Sequence, residues 1–82
     1  KNMKARAIEM IIKNIYKDDE IREVSITLRS GKEIIFCPEE NETNFMTIYN
    51  EERNTTEKAN ILVLEGNQTR YIDCDEIAMI DY

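Results

Sequence analysis

The 82-residue sequence has no histidine and no tryptophan, and it has only two glycines and one proline. Without histidine there is no imidazole to ligate a metal or to serve as the base of a Ser-His-Asp or Cys-His pair. Two glycines are too few for the loops that cradle phosphates. The longest apolar runs, such as Ile61 to Leu64, have four residues, whereas a membrane span needs roughly 20. These absences predict a protein that is not an enzyme and does not contact a membrane.

The two cysteines, Cys37 and Cys74, form no CxxC pair, which favours reduced thiols in a cytoplasmic protein. Cys74 lies between Asp73 and Asp75, whose carboxylates disfavour the thiolate that a nucleophile requires. Cys37 follows an apolar segment and is interpreted as a small core residue. Asp73, Asp75 and Glu76 are too few and too close for a calcium loop. We therefore predict no catalytic residue, no metal site and no cofactor.

Charge is distributed unevenly along the chain. Residues 1–17 carry five basic side chains and one acidic side chain, a net charge of +4, whereas the remaining residues carry −10. This asymmetry is typical of a basic helix that lies on an acidic body and neutralises part of its charge. It is also typical of a basic helix that meets an acidic partner surface, or of an acidic face that meets a basic partner. Two sets of candidate contact residues follow from it. The acidic set is Glu39, Glu40, Glu42, Glu51 and Glu52, and the basic set is Lys4, Arg6, Lys13 and Lys17.

The N-terminal segment predicts an amphipathic helix over about residues 3–17. Four isoleucines recur at the spacing i, i+3, i+4, i+7, which places them on one helical face. Asn2 is suited to cap the start of the helix. The acidic run at residues 18–20 opposes the helix dipole, so the helix is expected to end near Lys17. The isoleucines are Ile8, Ile11, Ile12 and Ile15.

The rest of the chain predicts five strands, over about residues 22–29, 33–37, 61–65, 69–73 and 77–81. Apolar and polar residues alternate in the first strand, which indicates one buried face and one solvated face. Gly31 is expected to form the turn of the first hairpin, and Pro38 is expected to end its second strand. That second strand is apolar on both faces, so we expect it to be central or covered by the helix.

Residues 39–60 are polar and acidic, and we expect a variable acidic loop there. Inside this segment an apolar island between Phe45 and Tyr49 favours a short strand. Together the elements predict one α+β domain over residues 1–82. Its N-terminal helix would pack on a small, strongly bent antiparallel sheet or barrel of about five strands.

Two segments resemble the Sm-like fold, a small SH3-like barrel of five strands led by a helix. The first is Ile26-x-Leu28-x-x-Gly31-x-x-Ile34, where a strand turns at a glycine and returns. The second runs from Tyr71 to Ile80, where a strand, a short turn and a last strand close the barrel. The resemblance implies this strand topology and a ring that binds RNA.

Three functions are consistent with these observations. The first is a non-enzymatic protein-interaction or self-assembling module, because the edges of a small sheet pair readily with a partner or a second copy. The second is an acidic inhibitor of the kind found in phages and mobile elements, in which the acidic set imitates nucleic acid. The third is an RNA-binding ring that uses the basic set. We expect a protein partner, with a homo-oligomer as one form of it, and no nucleic acid on the acidic body.

Overall fold

The computed structural model describes residues 4–82, which contain one helix and six strands. The helix is α1 (Ala5–Lys17), and single 3-10 turns lie at Pro38–Glu40 and Cys74–Glu76. The strands, in chain order, are β1 (Val24–Leu28), β2 (Glu33–Phe36), β3 (Glu42–Asn50), β4 (Thr55–Glu65), β5 (Thr69–Asp73) and β6 (Ile77–Asp81).

Helix α1 packs on the body through the isoleucine face that its sequence indicates. Ile8, Ile12 and Ile15 are buried, and Ile11 is half-buried beside them. The backbone of Lys4 is still extended, so the helix begins at Ala5. It ends at Lys17, because Asp18 returns to an extended backbone and its amide donates to the carbonyl of Ile15 at 3.1 Å. Residue 3 and the predicted cap Asn2 lie outside the described residues.

The first sheet has the antiparallel order β2-β1-β6. Gly31 makes its hairpin turn with a φ of +94°, a conformation that costs glycine little and other residues considerably more. The expectation that the second strand is central is wrong, because β2 lies at the edge of this sheet, and only one of its faces is covered. Ile34 and Phe36 point into the core, so the side chain between them, Ile35, is 54% exposed.

The second sheet has the antiparallel order β3-β4-β5. Here the prediction of an acidic loop over residues 39–60 is wrong. After the Pro38–Glu40 turn, the segment forms β3 and the first part of β4, joined by a tight turn at residues 51–54. The strand expected around Phe45 to Tyr49 is present but longer. The loop prediction failed because the far part of this hairpin is exposed on both faces, so its sequence shows no burial periodicity.

One hydrophobic core joins α1 to both sheets, and the α+β class is confirmed. Its fully buried members include Ile8, Ile26, Leu62 and Ile77, which come from the helix and from strands of both sheets. The strand pairs among residues 4–82 form two three-stranded sheets rather than one closed barrel of five strands. The helix therefore covers the inner side of the second sheet, and the other side of that sheet faces solvent.

Candidate binding site at the free edge of β3

The acidic set does not form a single patch. Glu39 and Glu40 lie in the 3-10 turn before β3 and Glu42 is the first residue of β3, whereas Glu51 and Glu52 lie in the turn after it. The other eight residues of β3 separate the two groups by roughly 27 Å.

The structure adds Glu65 to the first of these groups, because the strand register places it directly opposite Glu42. Glu39, Glu40, Glu42 and Glu65 line a shallow concavity of about 340 Å³. Like charges directly opposite each other destabilise a strand pair. The sequence alone could not identify Glu65 as a member, since only the register of the hairpin brings it there.

The basic set divides as well, although all four of its members are exposed. Arg6, Lys13 and Lys17 follow one another at i, i+7, i+11, so they form one stripe on the side of α1 that faces away from the core. Met10, which is 64% exposed, lies within this stripe. Lys4 lies apart from the other three. It precedes the helix, and its carbonyl accepts the amide of Ile8, a residue of the buried face.

A groove of about 440 Å³ lies between α1 and the beginning of β3. Ile12 and Phe45 provide apolar surface within it, and Tyr16 closes one end. Lys13 and Glu42 place opposite charges on its two walls. Sequence patterns did not identify this groove, because its residues come from segments about 30 positions apart that only tertiary packing brings together. The lining residues are Glu9, Ile12, Lys13, Tyr16, Glu42, Thr43, Asn44 and Phe45.

One end of the groove is held by hydrogen bonds centred on Asn41. The Tyr16 hydroxyl donates to the Asn41 carbonyl at 2.8 Å, which ties the end of α1 to the residue before β3. The Asn41 side-chain amide donates in turn to the Cys37 carbonyl at 2.8 Å. Burial raises the pKa of Tyr16, so the phenol stays protonated and remains a donor at neutral pH.

The other end of the groove is held by Lys58, which reaches across from β4. Its Nζ lies 2.6 Å from Oε2 of Glu9 on α1 and 5.5 Å from the centroid of the Phe45 ring. The hydrogen bond from Lys58 lowers the pKa of Glu9, so this carboxylate is ionised across the neutral range. Lys58 therefore fixes the spacing between helix and hairpin by an ion pair and a cation–π contact at once.

The groove opens onto a strand edge that has no strand partner within residues 4–82. β3 is hydrogen-bonded only to β4 on one side, so its other edge presents backbone donors and acceptors along nine residues. Such an edge can accept a further strand, and proteins usually protect long edges by charges, bulges or a cover. Only a bulge interrupts this hairpin, and it lies on β4, opposite Met46. The arrangement can therefore bind an extended polypeptide.

The two cysteines differ in burial: Cys37 is only half-buried and lies outside the core in which the sequence placed it, whereas Cys74 belongs to that core. Cys74 is fully buried, and burial, followed by the nearby Asp73, raises the pKa of its thiol. The direction expected from the sequence is confirmed, with burial as the larger cause. Within residues 4–82, no cluster of three His, Cys, Asp or Glu side chains is arranged to hold a metal ion. The described part of the chain also contains no helix with the length and apolar character to cross a membrane.

No protein-family model matches the chain, and no curated protein or solved structure is significantly similar to it.

Proposed function

We propose that the protein is a non-enzymatic interaction module that binds an extended segment of a protein partner at the free edge of β3. The observation that carries this proposal is the position of that edge, which lies beside a helix with an apolar groove between them. Strand addition at an open edge obtains affinity from main-chain hydrogen bonds and specificity from pockets for alternate side chains. Both of the cysteines are unpaired, which supports a reducing, cytoplasmic setting.

The groove determines which side chains a bound segment would present. An added strand lies about 4.8 Å from β3, and its successive side chains point to opposite faces. Every second side chain would therefore point towards Ile12 and Phe45, which favours apolar residues at those positions. The side chains between them would face solvent. Because the walls carry both Lys13 and Glu42, the partner segment needs no strong charge of either sign.

The proposal is tested by selecting binders from a displayed library of random peptides and measuring amide hydrogen exchange of the complex. The unpaired amides on the edge of residues 42–45 are expected to exchange rapidly in the free protein and slowly when a peptide is bound. Peptides that bind without protecting these amides, or failure to select any binder, would contradict the proposal.

Two threonines of β3 provide matched variants for this test. Thr43 precedes Phe45 by two positions and Thr47 follows it by two, so all three side chains lie on the same face of the strand. Only Thr43 lines the groove. Thr43→Arg should therefore abolish peptide binding, whereas Thr47→Arg should bind normally. The melting temperature of each variant shows whether the protein still folds, and equal binding by both would place the peptide elsewhere.

The nucleic-acid-mimic alternative is favoured by one observation, the like charges that face each other at Glu42 and Glu65. This repulsion costs stability unless a cationic partner neutralises it. The hypothesis predicts that polylysine raises the melting temperature of the protein, and that changing Glu39, Glu40, Glu42 and Glu65 to Gln removes the increase. If polylysine raises the melting temperature of that variant by the same amount, these carboxylates are not the contact.

A further inference from the structure

The side of the second sheet that faces away from α1 carries its own surface, which we call the outer face. Leu62 and Leu64 of β4 are buried against the core, so alternation directs Ile61, Val63 and Glu65 to the opposite side. Residues paired across strands share a face, which extends the assignment to β3 and β5. The outer face therefore has a definite set of side chains, although none of them contributes to the core.

The centre of the outer face is apolar. Val63 is only 9% exposed although it faces away from the core, because its neighbours on the sheet surround it. Around it, Tyr71 is 65% exposed, Ile48 57% and Met46 42%. Ile61 adds a half-buried side chain beside Val63. Exposed apolar side chains that adjoin one another are typical of a contact surface, whereas single ones are ordinary.

The rim of the outer face is acidic apart from Arg53, whose guanidinium lies 3.3 Å from the carboxylate of Glu57. Register places Glu42, Glu57, Glu65 and Asp73 on this side of the sheet. None of the lysines or arginines among the paired residues of β3, β4 and β5 points this way, since Lys58 reaches towards α1 and Arg70 shares the inner face with Leu64. The surface therefore fits a partner that has an apolar centre flanked by basic groups.

The exposed stripe of α1 has this complementary chemistry. Arg6, Lys13 and Lys17 surround Met10, whose side chain is largely exposed. The stripe is about 16 Å long at the rise of an α-helix. Its three basic side chains can reach acidic groups on either side of an apolar strip, because lysine and arginine extend several ångströms beyond their backbone.

We propose that the exposed stripe of α1 in one molecule docks on the outer face of the second sheet in another copy of the chain. The two surfaces cannot meet within one molecule, because α1 packs on the inner side of that sheet. The contact is head-to-tail, so each molecule keeps one free stripe and one free outer face, and assembly continues until a ring closes or a filament forms. This contact shares Lys13 and Glu42 with the groove beside β3, but it is measured by the assembled mass, whereas peptide binding is measured by amide protection, so either proposal can fail without the other.

Two charge-neutralised variants test the contact by light scattering during size-exclusion chromatography. The helix variant carries Arg6→Gln, Lys13→Gln and Lys17→Gln, and the sheet variant carries Glu42→Gln, Glu57→Gln and Glu65→Gln. All six side chains are exposed, so both variants should fold. The unmodified protein is expected to exceed the monomer mass and each variant to be a monomer. An equimolar mixture should give a 1:1 dimer, because one intact stripe meets one intact outer face.

Matched variants control for net charge. Arg22→Gln, Arg29→Gln and Lys32→Gln remove three basic groups elsewhere, and Glu20→Gln, Glu23→Gln and Glu76→Gln remove three acidic groups elsewhere; both should assemble like the unmodified protein. The assembly should also weaken with salt, because the Debye length falls from about 10 Å at 0.1 M to about 3 Å at 1 M. A monomeric unmodified protein at every concentration, or a mixture that remains monomeric, would overturn the proposal.

Discussion

The hairpin of β3 and β4 has two halves that share the same pairing but differ in their surroundings. In the proximal half, residues 42–45 pair with residues 62–65, and Leu62 and Leu64 are buried in the core. In the distal half, residues 47–50 pair with residues 55–58, and nearly every side chain is exposed. Met46 and the bulge opposite it separate the two halves.

The difference shows that backbone pairing and tertiary packing are separate sources of order. An isolated two-stranded hairpin is only marginally stable in water. The distal half therefore depends on its own turn and on its attachment to the proximal half, whereas the proximal half is held by the core. We expect substitutions in the proximal half to change global stability, and substitutions in the distal half to have mainly local effects.

The largest effect should come from truncating matched apolar side chains in the two halves. Leu62→Ala removes a fully buried side chain and should lower the free energy of unfolding by about 2–5 kcal/mol. Ile48→Ala removes a side chain that is 57% exposed, and should change this free energy by less than about 0.5 kcal/mol. Urea denaturation of the two variants measures both values. Similar losses of unfolding free energy in the two variants would show that the distal half is also stabilised by tertiary packing.

A smaller effect is expected at Gly66, where the turn after β4 approaches the proximal end of β3. A Cβ at this position would overlap the side chain of Asn41 and lie 3.2 Å from the carbonyl oxygen of Glu40. Gly66→Ala should therefore cost about 1–3 kcal/mol of stability through overpacking. Because the clash is with one side chain, Asn41→Ala should recover part of this loss in the double variant.

Gly31 provides the control for this coupling. A Cβ on Gly31 would meet nothing within 4 Å, but its φ is +94°. Gly31→Ala should cost about 1 kcal/mol through backbone strain alone, and Asn41→Ala should not change that cost. Additive losses for Gly66→Ala and Asn41→Ala would contradict the steric explanation, since residues in contact are expected to couple.

The same contrast explains how much of the fold could be predicted from the sequence. The face of α1 and the strands at residues 69–73 and 77–81 were predictable, because burial on one side imposes a period on side chains such as Ile8, Ile12 and Ile72. The distal half carries no such period. Because residues 39–60 are polar and acidic, their sequence predicted a loop instead. The strands of the distal half form because the turn and the proximal pairing hold them in register, and neither of these leaves a periodic pattern of buried side chains in the sequence.

The candidate sites were less predictable than the fold. The acidic set was predicted from composition alone, and its division into two groups was not predicted, because it depends on the full length of β3. Three of the four residues of the basic set do share a stripe, because helical periodicity is visible in a sequence. The groove combines Tyr16 and Phe45, and no local pattern connects a helix to a strand edge 29 residues later.

The turn of the distal half should show a smaller and local effect. Asn54 adopts a φ of +53°, which asparagine tolerates better than most residues, and the Tyr49 hydroxyl donates to its side chain. Asn54→Ala should strain the turn by about 1 kcal/mol, and the distal half can relieve this strain by opening locally. Hydrogen exchange should become faster at residues 47–50 and 55–58 and stay unchanged at 62–65.

Asn54→Gly is the control, because glycine adopts a positive φ without strain. If the distal half opens independently, the free energy of global unfolding should fall by less than about 0.5 kcal/mol in Asn54→Ala. Faster exchange at residues 62–65 in the same variant would mean that the hairpin unfolds as one unit.

The smallest effect concerns the ion pair that joins α1 to the first residue pair of the distal half. Lys58 is paired with Thr47 across the hairpin and donates to the carboxylate of Glu9. This hydrogen bond lowers the pKa of Glu9 in the folded protein. A lowered pKa means that the pair contributes stability above the ordinary pKa of glutamate, and that the contribution is lost as the pH falls through the lowered value.

Lys58→Gln should therefore lower the melting temperature slightly at neutral pH, and the difference from the unmodified protein should shrink in strong acid to what the contact of Lys58 with the Phe45 ring contributes. The effect is small because solvent screens both groups, whose side chains are 47% and 28% exposed. Lys32→Gln removes an exposed lysine that pairs with no carboxylate among residues 4–82, so it should show no such pH dependence. If both variants respond alike, net charge rather than this link governs the response, and α1 does not stabilise the distal half.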